Sequence, residues 1–346
     1  MRKEFGQNLE VAIYGESHSA EISVVIKGLP VGARFSVEEL QRFMDRRAPG
    51  RKGKDSVTDA ATTARKEPDR VLFTEGVSAA EEGTVVVESD PVQACIRNQD
   101  QRSGDYAKLR EVLRPGHADL GAYLKYGAEG LRPGGGRFSG RMTAPMCIAG
   151  GIAKQLLEQQ NVYIHAAYQE IGGETDEEKI AEALAAASRD GDSIGGIVRC
   201  TVSGFPGGIG GPLYEGLEGV IAQSVFAIPA VKGIEFGSGF SGSRMRGSEN
   251  NDPIVLKDGT LRTLTNHSGG INGGISNGMD IDFRVAFKPT PTISKEQRTV
   301  NIREMKECKL EAGGRHDACV VPRAVPVVEA AAALALYDAM RGECNE

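Results

Sequence analysis

Hydrophobic and polar residues along this chain alternate with two different periodicities, which predict strands and helices in one polypeptide. Over residues 279–287 every second side chain is apolar, which is the period of a strand with one buried face. Residues 22–27 and 196–202 are rich in β-branched side chains and predict two further strands.

Two helix starts carry a capping-box pattern, in which Ser or Thr is followed three residues later by Glu. Ser36 with Glu39 opens one predicted helix, and Thr175 with Glu178 opens a second, which ends near Gly191. The mixture of helices and strands predicts an α+β fold class. The other predicted helices are residues 144–160 and 325–341, and the glycine runs that predict loops are residues 134–136, 207–211 and 269–278.

A faint internal repeat suggests how the chain is organised. Residues 25–32 match residues 201–208 in residue type. We expect a single domain over residues 1–346 and hypothesise duplicated halves, about 1–170 and 171–346, whose sheets pack around a shared site. The alternative is chance, because short matches arise easily in a chain with 45 glycines.

Composition excludes several classes of protein. With 40% hydrophobic and 25% charged residues, the 346-residue chain has the composition of a globular protein. No apolar stretch approaches the roughly 20 residues of a bilayer span, and the N-terminus resembles neither a secretory nor an import leader. We therefore expect a cytoplasmic protein. The six cysteines include no Cys-x-x-Cys pair and no histidine at ligand spacing, so neither a metal site nor a disulfide framework is predicted.

The charge is unevenly distributed. A net charge of −6 argues against a nucleic-acid partner, because phosphate backbones are met by basic surfaces. Nevertheless, Arg46, Arg47, Arg51, Lys52 and Lys54 lie within nine positions. A local cationic patch on an acidic protein indicates a small anionic ligand.

Histidine is well suited to donate protons near neutral pH, and three of the five histidines have informative neighbours. His18 lies among small residues before a predicted strand, where a ligand can reach its ring. His117 lies in a turn with Arg114 and Asp119, and the Asp119 carboxylate is a candidate to orient the imidazole. His316 lies in a short charged triplet. For each of them the alternative is a structural role in a polar turn.

The glycine-rich segment 134–141 contains Arg137 and Arg141 just before a predicted helix. Backbone N–H groups and guanidinium groups in such a loop can bind an anion. The segment matches neither the dinucleotide fingerprint nor the Walker A loop. No nucleophile elbow or Ser/His/Asp triad is evident, which argues against covalent hydrolysis.

These segments, in this order, give the chain a resemblance to the chorismate synthase family, from the region of Gly6 to the final predicted helix. They include Gly-Glu-Ser-His at 15–18 and Arg-Pro-Gly-His-Ala-Asp at 114–119. The other matching segments are residues 45–50, 65–69, 98–105, 134–143, 230–235, 269–278, 288–290, and 315–317 leading into 322–326.

The resemblance implies the β-α-β sandwich of that family and a carbon–oxygen lyase acting on phosphates. The implied reaction is the trans-1,4 elimination of phosphate from 5-enolpyruvylshikimate 3-phosphate to give chorismate, the last common step of the shikimate pathway. It requires reduced FMN although it is redox-neutral. The resemblance also implies a homotetramer, and we expect NADPH to act only as an indirect reductant through a separate flavin reductase.

The family's residue roles are carried over to matching positions. His18 would protonate the departing phosphate, His117 would handle a proton on the reduced flavin, and Asp317 would assist removal of the ring proton through the flavin. Ser17 and Ser139 would support these neighbourhoods. The implied flavin contacts are Arg137, Phe138, Ser139, Pro229, Ala230, Gly273, Lys288, Pro289, Thr290, Pro291, Thr292 and Arg315. The implied substrate contacts are Arg47, Arg51 and Arg141, with Lys52 and Lys54 as alternatives to Arg51.

Two positions depart from the family pattern, namely Ser19 in place of glycine and Met142 in place of glutamate. Two other functions compete with the implied one. The first is a catalytically inactive flavin- or anion-binding protein of the same fold, against which the presence of both histidines and Asp317 speaks. The second is an RNA-associated protein that uses the basic loop 46–54, which however contains no aromatic residue for base stacking.

Overall fold

The computed structural model describes residues 4–49, 57, 61, 68–81, 83–98, 111–311 and 317–343. The strands before residue 100 are β1 (Glu4–Phe5), β2 (Glu10–Tyr14), β3 (Glu21–Lys27), β4 (Arg34–Ser36), β5 (Leu72–Glu75), β6 (Val77–Ala79), β7 (Thr84–Val87) and β8 (Val92–Arg97). The later strands are β9 (Tyr163–Ile171), β10 (Gly196–Ser203), β11 (Val231–Phe236), β12 (Ile254–Lys257), β13 (Thr260–Thr263), β14 (Ile271–Asn272), β15 (Ile275–Ser276), β16 (Ile281–Phe287), β17 (Gln297–Asn301) and β18 (Lys306–Leu310).

The helices described are α1 (Val37–Arg47), α2 (Asp119–Tyr126), α3 (Thr143–Glu158), α4 (Glu177–Arg189), α5 (Leu217–Phe226), α6 (Gly239–Gly242), α7 (Gly247–Asn250) and α8 (Val321–Glu343). Short 3-10 turns cover Gly127–Gly130, Pro133–Phe138, Gly140–Met142 and Leu213–Glu215. In the described part of the chain, no helix is both long enough and apolar enough to cross a bilayer.

Two antiparallel sheets form the outer layers. The strand order is β1-β2-β3-β8-β5 in the first sheet and β11-β16-β10-β9 in the second. Strands β2, β3, β5 and β8 of the first sheet correspond in chain order to β9, β10, β11 and β16 of the second. In both sets the third strand lies at an edge of the sheet, and the fourth strand lies between the second and the third. This shared order supports the hypothesis of duplicated halves, which stays a prediction.

The three predicted strands are confirmed as β3, β10 and β16. In β16 the side chains of Ile281, Phe283, Val285 and Phe287 are buried and the intervening ones are half-buried. The period of two in the sequence therefore marks the face that packs on the helices.

The two predicted helix starts have different outcomes. Ser36 caps α1 as expected, since its hydroxyl accepts a hydrogen bond from the N–H of Glu39 at 3.2 Å. Thr175 does not cap α4. Asp176 does so one residue later, and its Oδ1 accepts from the N–H groups of Glu178 at 3.1 Å and Lys179 at 3.2 Å. A carboxylate that serves two of the free N–H groups at a helix start outcompetes the neighbouring hydroxyl.

Helix α8 lies in the centre of the molecule. Every residue from 324 to 338 is buried, as expected for a helix with no solvent-facing side. It begins at Val321, four residues before the predicted start, so Pro326 lies inside it. Pro322 is then in the first turn, where a missing N–H costs nothing.

Packing of α3 against α8 joins the two sheets. Helix α3 contacts β2, β3 and β8 of the first sheet, whereas α8 contacts β9 and β10 of the second. At the crossing, a Cβ atom added to Gly150 would lie 2.5 Å from the Cα and Cβ atoms of Ala330. Glycine is therefore required at this point of α3 for the two helices to approach.

We expect Gly150→Ala to destabilise the protein by about 1–3 kcal/mol, because the two backbones would have to separate. The matched control is Gly151→Ala, whose new methyl group would meet side chains rather than backbone, namely Leu40 Cδ1 at 2.6 Å and the Phe43 ring at 3.0 Å. The control should lose less, since alanine also gains up to about 1 kcal/mol of helix propensity. Urea unfolding of both variants measures the difference, and equal stabilities would contradict the close crossing.

Candidate active site

A cavity of about 700 Å³ lies where several helices begin or end. Its lining includes the last residue of α1, residues at the start of α3 and α8, and the end of α5. The remaining walls come from residues 114–119, 134–141, 227–232 and 287–291. Because helix N-termini carry partial positive charge, the starts of α3 and α8 favour an anion here.

The lining combines apolar and basic side chains. The apolar ones include Phe226, Ile228, Val231, Phe287, Val320, Ala324 and Val327. The basic ones are Arg47, Arg114, Arg137, Arg141, Lys232, Lys288 and Arg323, against two carboxylates, Asp119 and Asp317. Such a cavity suits a ligand set that contains both a ring system and several negative charges.

Two buried arginines share one buried aspartate at this cavity. Arg47 Nη1 donates to Asp69 Oδ2, and Arg141 Nη1 donates to Asp69 Oδ1. The side chains of the arginines are only 3% and 5% exposed, and that of Asp69 is fully buried. Burial alone would raise the pKa of the Asp69 carboxyl, but the two guanidiniums outweigh it and hold the pKa below its ordinary value.

A third arginine connects α8 to this cluster. Arg323 Nη1 donates to Asp317 Oδ2 at 2.5 Å, and its Nε donates to the carbonyl oxygen of Arg47 at 3.0 Å. Burial lowers the pKa of Arg323 below its ordinary value, while Asp317 opposes the shift. Asp317 therefore faces the cavity beside a fixed cation.

The turn that carries His117 is held from both sides. Arg114 forms a bidentate pair with Asp119, with Nε–Oδ2 and Nη2–Oδ1 distances of 2.7 Å. The Lys288 ammonium donates to the Gly116 carbonyl. The Nε2 atom of His117 lies 2.5 Å from Thr292 Oγ1. Thr292, which the resemblance assigned to the flavin, thus contacts the His117 imidazole directly through its hydroxyl.

Two of these charged groups have displaced pKa values. Burial would raise the pKa of Asp119, but the hydrogen bonds and charge of Arg114 prevail, and the pKa lies below its ordinary value. Burial, followed by the nearby Lys232, lowers the pKa of Lys288. The cavity therefore favours the charged form of Asp119 and disfavours that of Lys288.

His18 and Ser17 lie behind the glycine-rich loop rather than on the cavity wall. A Cβ atom on Gly134 would lie 2.5 Å from His18 Nε2, so the imidazole packs directly against this backbone. Ser139 Oγ, which is on the wall, donates to Ser17 Oγ at 3.2 Å. Ser19 closes the histidine turn, since its hydroxyl donates to the Glu16 carbonyl at 2.8 Å.

Most side chains singled out from the sequence meet at this cavity. The ones that line it are Arg47, His117, Arg137, Phe138, Ser139, Arg141, Pro229, Ala230, Lys288, Thr290, Pro291 and Asp317. Pro289 and Thr292 adjoin the lining in sequence. Gly273 does not line it and lies in the turn between β14 and β15. Arg51, Lys52, Lys54, Arg315 and His316 lie outside the described residues.

Asp69 and Arg323 were given no role from the sequence, although both occur in segments that match the family. Asn98 and Thr143 were also missed. They accept from Arg141 Nε and Arg47 Nε, each at 3.0 Å. The only signal available for them was their place in those segments, because the partners are far apart along the chain.

The fold is of the α+β class, and the cavity suits a small, strongly anionic molecule. A sequence profile of the family described as chorismate synthase matches residues 9–341. A chorismate synthase of Archaeoglobus fulgidus is 45% identical over 97% of this chain and 96% of its own length. One of Korarchaeum cryptofilum is 41% identical over 98% of both chains.

The chain therefore belongs to the chorismate synthase family, and it is an enzyme of the lyase class that acts on phosphates. A solved structure titled "Crystal Structure of Chorismate Synthase" has the same fold, with a TM-score of 0.72 and 23% identity. The superposition covers 98% of this chain and 93% of that one. The family and the fold class expected from the sequence are confirmed.

The lowered pKa of Asp119 leads to a prediction about acid stability. Its pair with Arg114 stabilises the folded state fully above the ordinary value of 3.8, and this contribution is lost as the pH falls through the lower folded value. Wild type should therefore melt above Asp119→Asn near neutral pH. The gap should close on acidification below 3.8, as followed by Tm against pH. A gap independent of pH would contradict the prediction.

Proposed function

We propose that this chain catalyses the trans-1,4 elimination of phosphate from 5-enolpyruvylshikimate 3-phosphate, forming chorismate, in the cavity at the helix ends. Membership of the family supports the reaction. The observation that carries the site assignment is the convergence of Arg47, Arg141 and Arg323 on one cavity, beside the starts of α3 and α8. In this proposal the protein is cytoplasmic.

The substrate bears a phosphate and two carboxylates, which need several cations in fixed positions. Guanidinium groups bind such groups through paired hydrogen bonds, and burial strengthens each contact. We assign Arg47 and Arg141 to the phosphate or a carboxylate of the substrate. Arg323, which the sequence did not single out, is a third cation available to the remaining carboxylate.

The described residues fit reduced FMN as the cofactor. Thr290 Oγ1 is buried without a hydrogen-bond partner among the described residues, so a polar group of a ligand could satisfy it. The apolar lining offers contacts for a ring system. The residues of the cavity and its border that would hold the flavin are Arg137, Phe138, Ser139, Pro229, Ala230, Lys288, Pro289, Thr290, Pro291 and Thr292. Gly273 and Arg315 are proposed as flavin contacts on the resemblance alone.

Bound reduced FMN supplies electron density to the reaction, which involves no net oxidation. The protein's own groups position the anions and handle protons. In this proposal His117, whose Nε2 lies beside the Thr292 hydroxyl, handles a proton on the reduced flavin, and Asp317 is kept next to the Arg323 cation. The resemblance gives His18 the protonation of the departing phosphate; it packs against Gly134 just behind the cavity wall, which Ser17 joins through its contact with Ser139.

The experiment that tests this function is anaerobic incubation with the substrate and dithionite-reduced FMN, with chorismate absorbance and phosphate release followed together. Wild type should form both products only when reduced flavin is present. His117→Ala should lower kcat by about 10²–10⁴-fold, the usual contribution of a positioned acid or base. His165→Ala is the matched control, because that histidine is exposed on β9, away from the cavity.

The outcomes separate the alternatives. Flavin binding without product would indicate the inactive binder of the same fold, and neither binding nor product would reject the assignment. We also propose that reduction is not intrinsic. Replacing dithionite and reduced flavin with NADPH and oxidised FMN should therefore give product only after a separate flavin reductase is added.

We propose a homotetramer, as in the family, and an exposed apolar surface supports self-association. Ile254, Leu256 and Leu261 are 75%, 73% and 70% exposed. Leu256 pairs directly with Leu261, so these side chains share one face of the β12–β13 hairpin. A second copy of the chain is the occupant that we propose for this face.

Leu256→Lys should shift the mass measured by light scattering towards smaller species, because a charge would be placed in the contact. Thr260→Lys is the matched control, since it adds the same charge on the opposite face of the hairpin. The control should retain the wild-type mass. Equal masses for both variants and wild type would remove this hairpin from the assembly contact.

A further inference from the structure

We propose that Asp69 is a positioning residue, which holds Arg47 and Arg141 in the one arrangement that receives the substrate's anionic group. This inference rests on the proposed function and deepens it, because the carry-over from the family gave Asp69 no role. Asp69 does not line the cavity, whereas both arginines do. It therefore acts through them.

One carboxylate connects two segments that are distant in the chain. Arg47 is the last residue of α1, and Arg141 lies in the 3-10 turn Gly140–Met142 before α3. Each oxygen of Asp69 accepts from a different guanidinium. Rotation of either arginine away from the cavity would break one of these two buried contacts.

Each guanidinium is also fixed at a second point. Arg47 Nε donates to Thr143 Oγ1, and Arg141 Nε donates to Asn98 Oδ1, both at 3.0 Å. The hydrogen bonds of Arg47 thus use Nε and Nη1. Its Nη2 has no hydrogen bond to any described residue and is the arm left for a ligand.

Asp69 itself is clamped by α1. Gln41 Nε2 donates to the Asp69 carbonyl at 3.3 Å, and Gln41 Oε1 accepts from the N–H of Val71 at 3.1 Å. The backbone of Asp69 has a φ of 45°, a conformation that residues other than glycine adopt only at an energetic cost. The same helix therefore fixes both Arg47 and the carboxylate that orients it.

A negative charge beside an anion site needs a reason, since it weakens the attraction for phosphate. Burying a carboxylate is also unfavourable unless it is well paired. The need to orient the two arginines accounts for the Asp69 carboxylate, because two guanidiniums buried side by side would otherwise repel each other and turn apart. Asp69 leaves the cluster with one net positive charge but a defined shape, and preorganised charge is what binding and catalysis require.

Asp69→Asn distinguishes orientation from simple charge. The variant loses one negative charge, so a site governed by net charge alone would bind anions more tightly. We expect the opposite: the Kd for inorganic phosphate, measured by calorimetry, should rise about tenfold or more, as for loss of a hydrogen bond to a charged group. KM for the substrate should rise with it.

The matched control is Glu329→Gln, which also neutralises a buried carboxylate paired with an arginine. Glu329 is 1% exposed, binds Arg46 at 2.7 and 2.9 Å, and does not line the cavity. This variant should lose stability but keep its phosphate Kd within about twofold. A phosphate Kd in Asp69→Asn that is unchanged or lower than in wild type would overturn the proposal.

If Asp69→Asn does not fold, Thr143→Val takes its place. It leaves the charge unchanged and removes the hydroxyl that accepts from Arg47 Nε and donates to the Gly140 carbonyl at 2.7 Å. The phosphate Kd should rise about threefold, the net worth of one hydrogen bond, and an unchanged value would overturn the proposal. Phosphate binding requires no turnover, so a wild type that forms no chorismate would reject the function and leave this result to be judged separately.

Discussion

The contact between α3 and α8 is the constraint on which the rest of the structure depends. Helix α3 packs mainly on the first sheet and α8 on the second, and they can join the sheets only because Gly150 lets α3 approach the backbone of Ala330. Both helices also begin at the cavity. The packing that closes the core therefore brings two positive helix ends to the same place, and the anion site is a consequence of how the layers are assembled.

In the cavity, several arginines with the same charge lie close together and need acidic partners. Arginines buried against helix N-termini would repel one another, and the cavity contains or borders an acid for each group of them: Asp69, Asp119 and Asp317. The lowered pKa values of Asp69 and Asp119 indicate that the folded state favours their ionised forms. The site keeps an excess of positive charge, and its cations are held in fixed directions before any ligand binds.

The sequence was most informative where one local pattern decides the outcome. Alternation over β16 and the hydroxyl of Ser36 each depend on neighbours within a few residues, and both were predicted correctly. Thr175 failed because Asp176, one position on, makes the better cap. The start of α8 was placed four residues too late, since the helix begins at Val321 and continues through Pro326.

In the candidate site, too, the sequence was informative for single residues but not for the contacts that tertiary packing forms. Resemblance to the family brought most of the lining together, but it could not show that Asp69 joins Arg47 to Arg141 or that Thr292 contacts His117. Such pairs are formed by tertiary packing, and no spacing along the chain encodes them. Gly273, by contrast, was assigned to the flavin by resemblance alone, and it lies in a turn away from the cavity lining.

Arg46 and Arg47 are consecutive in α1 and serve different ends of the molecule. Arg46 joins Glu329, whose Oε1 also accepts from the N–H of Ala166 in β9, while Arg47 faces the cavity. Successive side chains on a helix point about 100° apart. Inserting or deleting a single residue in α1 would therefore turn one of these arginines into the direction of the other and leave one of the two contacts without its arginine, so this helix must keep its length even where its exposed side chains are free to vary.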